Sequence, residues 1–275
     1  MPIHDDLGKR MKEFYENVPK TKLMRRTPVA IRIDGKAFHT FTRGFNKPFD
    51  DVLISAMQDT MKYLCENIQG CVLGYTQSDE ITLILVDYKR LNSSAWFDYE
   101  VQKMCSIAAS MATMAFNKAF NEGVQHRNLS YYAAHATTDN PYPQDDLGQT
   151  YAIKAQIGAM FDARCFNIPK EEVTNLVYWR QLDATRNSIQ MVGQANFSHK
   201  ELQGKSCEKI KEMLIAEKGI SWEDLYPMYQ HGSCCIKVTT EIDGVTRSSW
   251  EIDKNIPLFV GEGREYIESL IQCEE

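Results

Sequence analysis

Three things are scarce in this sequence of 275 residues. No apolar run approaches the ~18 residues that a membrane-spanning helix needs, no two cysteines stand at C-x-x-C spacing, and the basic residues are outnumbered, 31 Lys and Arg against 37 Asp and Glu, for a formal charge of −6. The opening residues MPIHDDLGKR also lack the apolar core of a signal peptide and the Arg/Ser bias of a transit peptide, so a soluble, cytoplasmic protein is expected. The eight cysteines, Cys65, Cys71, Cys105, Cys165, Cys207, Cys234, Cys235 and Cys273, have no partnered H-x₃-H. That argues against a regularly spaced zinc or disulfide framework and leaves most of them as small core residues. The acidic balance excludes a protein that coats nucleic acid by bulk electrostatics, because phosphate binding needs Lys and Arg gathered locally. Any such contact would fall on local groups such as Lys20, Lys22, Arg25 and Arg26, or His199, Lys200 and Lys205, which could equally be solvated surface.

What is present is 43% hydrophobic content, enough for one large core with a helical appendage. After Pro28, VAIRIDG alternates Val29, Ile31 and Ile33 with Ala30, Arg32 and Asp34, the period of a strand that ends at Asp34-Gly35. From Asp50 or Asp51, either of which can cap, Leu53, Ala56, Met57, Thr60, Met61, Leu64 and Ile68 recur at helical spacing. CVLGYT and ITLILV then flank Gln77-Ser78-Asp79-Glu80 as a hairpin with an acidic turn. A helix over about 95–120 turns Met104, Ala108, Ala112 and Phe116 to one side. Residues 121–154, polar and carrying Pro141, Pro143 and Gly148, read as a loop-rich insertion before the strand in IGAMFDARCFNI.

The order β-α-β-β-α-β is the ferredoxin-like plan, an α+β fold with an antiparallel sheet and helices on one face. The chain divides into a palm-like part, 1–168, and a helical and hairpin extension, 169–275, packed on it. In the extension a long helix follows Pro169, a shorter one runs from Ser206 to Gly219, Ser221-Trp222-Glu223-Asp224 reads as a capping box, and Asp243-Gly244 marks a second hairpin.

Asp34 at the end of the first strand and Asp79-Glu80 in the hairpin beside it converge in this topology. Carboxylates brought together at a sheet edge repel unless a cation joins them, and hard oxygen ligands suit Mg²⁺, a pair of which can hold the attacking and leaving oxygens of a nucleotidyl transfer. Gly35, without a Cβ, would let a triphosphate approach the backbone.

IRIDGKAFHTF, NKPFD and GYTQSDEITLIL resemble, in order and spacing, the first motifs of the tRNA-His guanylyltransferase superfamily. The resemblance continues through MFDARCFNIP and YWRQLDATRNSI to HKELQGKS, over roughly residues 5 to 235, and the last two look like the bacterial guanylyltransferase-like proteins. It implies a polymerase-like palm working in reverse, in which two or more Mg²⁺ ions are held by Asp34, the Gly35 carbonyl and Asp79, with Glu80 as a supporting catalytic acid. It further implies that ATP or GTP activates a tRNA 5′ end, which the 3′-hydroxyl of an incoming nucleotide then attacks.

Residues matching the family's nucleotide site are Gly35, Lys36, Ala37, Phe38, His39, Lys47, Ser78, Asp79 and Lys103. Arg164, Arg180, Arg186, Asn187, His199, Lys200 and Lys205 are candidates for tRNA contact, although Arg180 and Asp183, three apart on a helix, could simply pair. A homotetramer is implied in the same way. The chain departs from the family in reading Thr185-Arg186-Asn187 where eukaryotic members carry a His after WRQ-x-D, and in having Tyr99 and Glu100 at two basic positions before Lys103. The first departure disfavours non-templated addition of G to tRNA-His and favours template-dependent repair of truncated tRNA 5′ ends. Two other readings are a palm-fold nucleotide cyclase, disfavoured because the hairpin lacks the Gly-Gly-Asp/Glu-Glu/Asp-Phe pattern, and a non-catalytic RNA-binding protein.

Overall fold

A computed structural model describes residues 6–242 and 245–273. In chain order the elements are α1 (Asp6–Met11), β1 (Val29–Gly35), α2 (Phe38–Phe41), α3 (Asp51–Asn67), β2 (Cys71–Gln77), β3 (Glu80–Leu85), α4 (Val101–His135), α5 (Asp146–Ile157), β4 (Phe161–Asn167), α6 (Val173–Asn196), α7 (His199–Leu202), α8 (Cys207–Met213), α9 (Pro227–His231), β5 (Ser233–Ile242), β6 (Val245–Asp253) and α10 (Glu265–Glu268). The strands form one antiparallel sheet in the order β4-β1-β3-β2-β5-β6, whose first four positions are the ferredoxin-like core expected of an α+β palm. The C-terminal hairpin lengthens that sheet, since Leu73 of β2 pairs with Ile236 of β5, and its Asp243-Gly244 turn lies outside the described residues.

Alternation along β1 divides the molecule. Val29, Ile31 and Ile33, none of them exposed, pack with Ile81, Leu83 and Leu85 of β3 against Met57, Met61 and Leu64 of α3 and Met104, Ala108, Ala112 and Phe116 of α4. On the reverse face Ala30 and Ile84 meet Val173 and Val177 of α6, with Phe259 and Ile267 beyond. A third cluster, around Ile189, Val192, Ile210, Leu214 and Trp222, joins α6 to α8 and the segment after it. Covered on both sides, β3 is buried throughout, which explains its unbroken apolar run.

Asp50 is the residue that caps α3, accepting from the Leu53 amide at 2.9 Å. The loop-rich insertion is not found. α4 continues to His135 and α5 follows within ten residues, so only 136–145 is irregular. Asp145 caps α5 through the Gly148 amide and pairs with Arg127, while the Tyr131 hydroxyl donates to the Gln144 carbonyl at 2.8 Å, tying the outer half of α4 to the start of α5. The capping box proposed at Ser221 is also absent. That segment is a short 3₁₀ turn without a side-chain cap, and the reciprocal pattern occurs instead at Ser198 and Glu201. Among the described residues no helix is long and apolar enough to cross a membrane.

Candidate active site

The β1–β3 and β1–β4 registers place Asp34 opposite Glu80 on one side and opposite Asp162 on the other, and Arg32 opposite Thr82 and Arg164. Directly paired residues of a sheet share a face. The surface toward α6 therefore carries a row of three carboxylates, Asp162, Asp34 and Glu80, beside two arginines in the next row. Asp162 escaped the sequence reading. Its signal was present, because Asp162 and Arg164 are two apart in a strand that pairs with the strand of Asp34.

The three carboxylates differ. Glu80 is buried and enclosed: Arg180 Nε and Nη2 donate to its two oxygens at 2.7 and 2.8 Å, and Arg32 Nη2 donates at 2.8 Å. Arg180 also reaches Asp183 at 3.0 Å. Glu80 is thus an anchored carboxylate whose oxygens face guanidinium groups, and Arg180, expected on the tRNA side, has a side chain only 8% exposed and turned onto Glu80. Asp34 receives no such support. Partial burial, then the negative charges of Glu80 and Asp162, hold it above the usual carboxylate range. Asp79 is pushed up by its own burial, and Asp34 and Glu80 add to the rise against the Ser78 hydroxyl bonded to it at 3.0 Å.

The hairpin turn is tighter than expected. Gln77 and Glu80 pair, leaving Ser78 and Asp79 as the whole turn, with Ser78 at φ 50. The Gly35 amide donates to the Asp79 carbonyl at 3.1 Å and so seats this turn on the end of β1. Gly35 is required here for packing as well: a Cβ would lie 2.2 Å from the Phe38 ring, which is buried against Phe41, Phe116 and Phe161. Ala37, at φ 54, turns the chain into α2. A left-handed conformation costs a residue with a Cβ roughly 1–2 kcal/mol, so the surrounding contacts hold it in place.

Beside this turn lies a cavity of about 620 Å³. Gly35, Ala37, Phe38, His39, Lys47, Ser78 and Asp79 line it, as do Asn46 and Phe49. Its far wall comes from α3 (Leu53, Ile54, Met57, Gln58), α6 (Ala184, Asn187, Ser188, Met191, Gln194), α9 (Met228, Tyr229) and Ser233. No local pattern in the sequence marks that wall, and of its residues only Asn187 is among the expected site residues, as a candidate for tRNA contact. Phe49 and Tyr229 stack at 4.7 Å, and Tyr229 donates to Asp51 at 2.6 Å, fixing the rim between α3 and α9.

Two expected nucleotide residues stand apart from the cavity. Lys36 is exposed and does not line it, contributing its amide to the Met160 carbonyl at 2.8 Å. Lys103 lies near the opposite end of the sheet, its ammonium 4.7 Å from the Phe97 ring. Thr113 of the same helix bonds Phe161 at the Gly35 end, and ten residues of helix separate the two by about 15 Å. Arg164, exposed and paired with Asp162 at 3.1 Å, and Arg186, exposed and paired with Asp183 at 2.8 Å, leave surface free. His199 and Lys200 on α7, and Lys205 after it, are exposed and away from the cavity lining. Among the described residues no three His, Cys, Asp or Glu side chains are grouped to hold a metal ion.

The family model described as tRNAHis guanylyltransferase matches residues 8–169. Two solved structures, of a bacterial tRNA(His) guanylyltransferase-like protein in complex with ATP and in complex with GTP, superpose with TM-scores of 0.77 and 0.75 at 39% and 36% identity, each over 97% of this chain and 99% of their own. An uncharacterized protein of Acanthamoeba polyphaga mimivirus is 28% identical over 90% of this chain and 82% of its own length. The tRNA(His) guanylyltransferase 2 of Arabidopsis thaliana is 23% identical over 98% of this chain, which spans 48% of that longer relative.

Proposed function

The chain belongs to the tRNAHis guanylyltransferase family, a family of nucleotidyltransferases, and on that premise we propose that it adds nucleotides in the 3′-to-5′ direction to the 5′ end of tRNA, restoring truncated ends against the opposite strand as template. One observation carries the reading. Three separate sequence motifs, around Gly35–His39, Lys47 and Ser78-Asp79, meet in a single cavity next to Asp34. Similar proteins whose structures hold ATP and GTP support a nucleoside triphosphate as its occupant.

The chemistry assigned to each group follows from its surroundings. Lys47 and His39, on the cavity wall, offset phosphate charge, and the Ser78 hydroxyl and the backbone of 37–39 supply hydrogen bonds. Asp34 and Asp79 are two hard oxygen donors, each raised first by burial and then by nearby carboxylates, Glu80 among them in both cases, so a divalent cation would relieve both. The Gly35 carbonyl is the third proposed donor. Bound Mg²⁺, two or more ions, would spread the charge that develops on the transferred phosphoryl group and on the attacking and leaving oxygens. Glu80 holds Arg32 and Arg180 in place beneath these donors, a positioning role.

Contact with tRNA is proposed for the exposed Arg164, Arg186, His199, Lys200 and Lys205, whose charges suit the backbone of an RNA helix. Asn187 lines the cavity and is better placed to face the nucleotide. The cytoplasmic location and the homotetramer belong to the same proposal, and the apolar Leu7, Phe14, Tyr15 and Val18, exposed near the N-terminus, offer surface for contact between copies.

The test is incubation with Mg²⁺, ATP, all four nucleotides and a 5′-monophosphorylated tRNA lacking its first nucleotide, beside an Asp34→Ala/Asp79→Ala control. Extension by the one complementary nucleotide, absent from the control, is the expected result. No extension by the folded, metal-supplied protein would overturn the reading.

A further inference from the structure

The cysteines show no regular spacing in the sequence, yet folding brings two of them into contact. Cys105, near the start of α4, and Cys165, in β4, lie with their sulfurs 3.6 Å apart although 60 positions separate them. The Cys105 thiol donates to Cys165 Sγ, and the Cys165 thiol is directed at the Val101 carbonyl, 3.9 Å away. A disulfide bond is about 2.05 Å long, so the sulfurs need approach by only about 1.5 Å to join.

Accessibility sets this pair apart. Cys65, Cys234 and Cys235 are at most 2% exposed, which leaves their sulfurs as core atoms. The contact of Cys65 with Cys71 and Cys235 is centred on one of these enclosed side chains. Cys105 and Cys165 are both half-buried. β4 is the edge strand of the sheet, with β1 as its inner neighbour, so the seam where α4 packs on it reaches the molecular surface. Burial pushes the Cys165 thiol up to about 12, and the bond from Cys105 adds to the rise. Cys165 therefore keeps its proton near neutral pH, and the first attack on an oxidant falls to Cys105.

We propose that Cys105 and Cys165 form a modification site, a thiol pair that hydrogen peroxide converts to a disulfide, fastening the edge strand β4 to α4. In the first step Cys105 Sγ takes one oxygen of the peroxide as the O–O bond breaks, giving a sulfenic acid and water. In the second, Cys165 Sγ attacks that sulfur. The S–S bond forms, the S–O bond breaks, and the departing hydroxide takes the Cys165 proton to leave as a second water. Both sulfurs are oxidised, both peroxide oxygens are reduced, and an added dithiol restores the pair. β4 also carries Asp162 and Arg164 opposite Asp34 and Arg32, so the cross-link holds the strand that completes the charged face. Nothing in this depends on what occupies the cavity.

The test is peptide mass mapping of the unaltered chain under non-reducing conditions after brief exposure to hydrogen peroxide. The peptides of Cys105 and Cys165 should appear joined, with the loss of two hydrogens, and should separate in dithiothreitol. Because the bond closes a loop of 60 positions, the melting temperature should rise by about 5–10 °C. Cys165→Ala should abolish the rise and leave Cys105 as a sulfenic acid that dimedone traps. Joining of other cysteine pairs in place of this one would overturn the proposal, as would two free thiols here after Cys273 is oxidised. Since mapping uses the unaltered chain, the outcome does not depend on the variant folding.

Discussion

The two faces of β1 are built from alternate residues of one heptapeptide and obey opposite rules. On one face Val29, Ile31 and Ile33 are wholly covered by α3 and α4. On the other Arg32 and Asp34 sit within a band of charge, in which Glu80 is clamped and Asp34 is left without a cationic partner. The first face stabilises the fold by removing apolar surface from water. The second gives up stability to hold carboxylates close together, which a folded protein tolerates at sites where a charged ligand completes the arrangement.

Substitution on each face separates these roles, and the largest effect is expected on chemistry. Asp34→Asn with Asp79→Asn should lower single-turnover extension by at least ~10²–10³-fold, the scale for losing groups that stabilise transition-state charge, while thermal stability is kept or raised. Ile33→Ala, one residue away on the other face, should do the reverse, costing about 2–5 kcal/mol in denaturant unfolding while the folded fraction keeps its activity. Equal stability losses at both positions would erase the distinction.

Within the charged face, Arg180→Met should cost about 3 kcal/mol, the low end for breaking a buried ion pair because Arg32 still holds Glu80. Glu80→Gln in the same chain should recover part of that loss by removing the charge left unpaired. A neutral effect of Arg180→Met in urea unfolding would show that Glu80 does not depend on the clamp.

The smallest effect is a pH dependence. Asp34 and Asp79 have folded-state values raised above their unfolded ones, so their contribution is fully present below the ordinary carboxylate range and lost as pH rises through the raised values. In metal-free buffer, the melting temperature of the unaltered chain relative to the Asp34→Asn/Asp79→Asn variant should therefore fall as pH rises from about 4 toward neutrality. Added Mg²⁺ should reverse the trend in the unaltered chain alone. A flat difference would mean that the two carboxylates are not in conflict.

The misreading of 121–154 has a physical origin. Along α4 the buried positions Met104, Ala108, Ala112, Phe116 and Phe120 extend only to Val124, where the helix outgrows the sheet beneath it. The apolar period stops although the helix does not, because its later turns are held by Arg127–Asp145 and by Tyr131. Periodicity reports contact with a core and is silent about a helix that has left it. Gln58 shows the converse. It is buried on α3 although it lies outside the helical stripe read from the sequence, and its partners Met228 and Ser233 are 170 and 175 residues away.

The order β-α-β-β-α-β, the face each of those strands turns to the core, and the carboxylates at the end of β1 and in the β2–β3 turn were determined by the sequence alone, through alternation, helical spacing and the recognisable motifs around Asp34 and Asp79. Tertiary structure decided which charged residues were free. Arg180 could be paired with Asp183 from local spacing, but its bond to Glu80 joins positions 100 residues apart, and only the docking of α6 on the sheet brought those two together. The far wall of the cavity was decided in the same way. Local patterns record which side of an element meets a core, whereas a site assembled from β1, α3, α6, α9 and β5 exists only once burial of the apolar faces has brought those elements together.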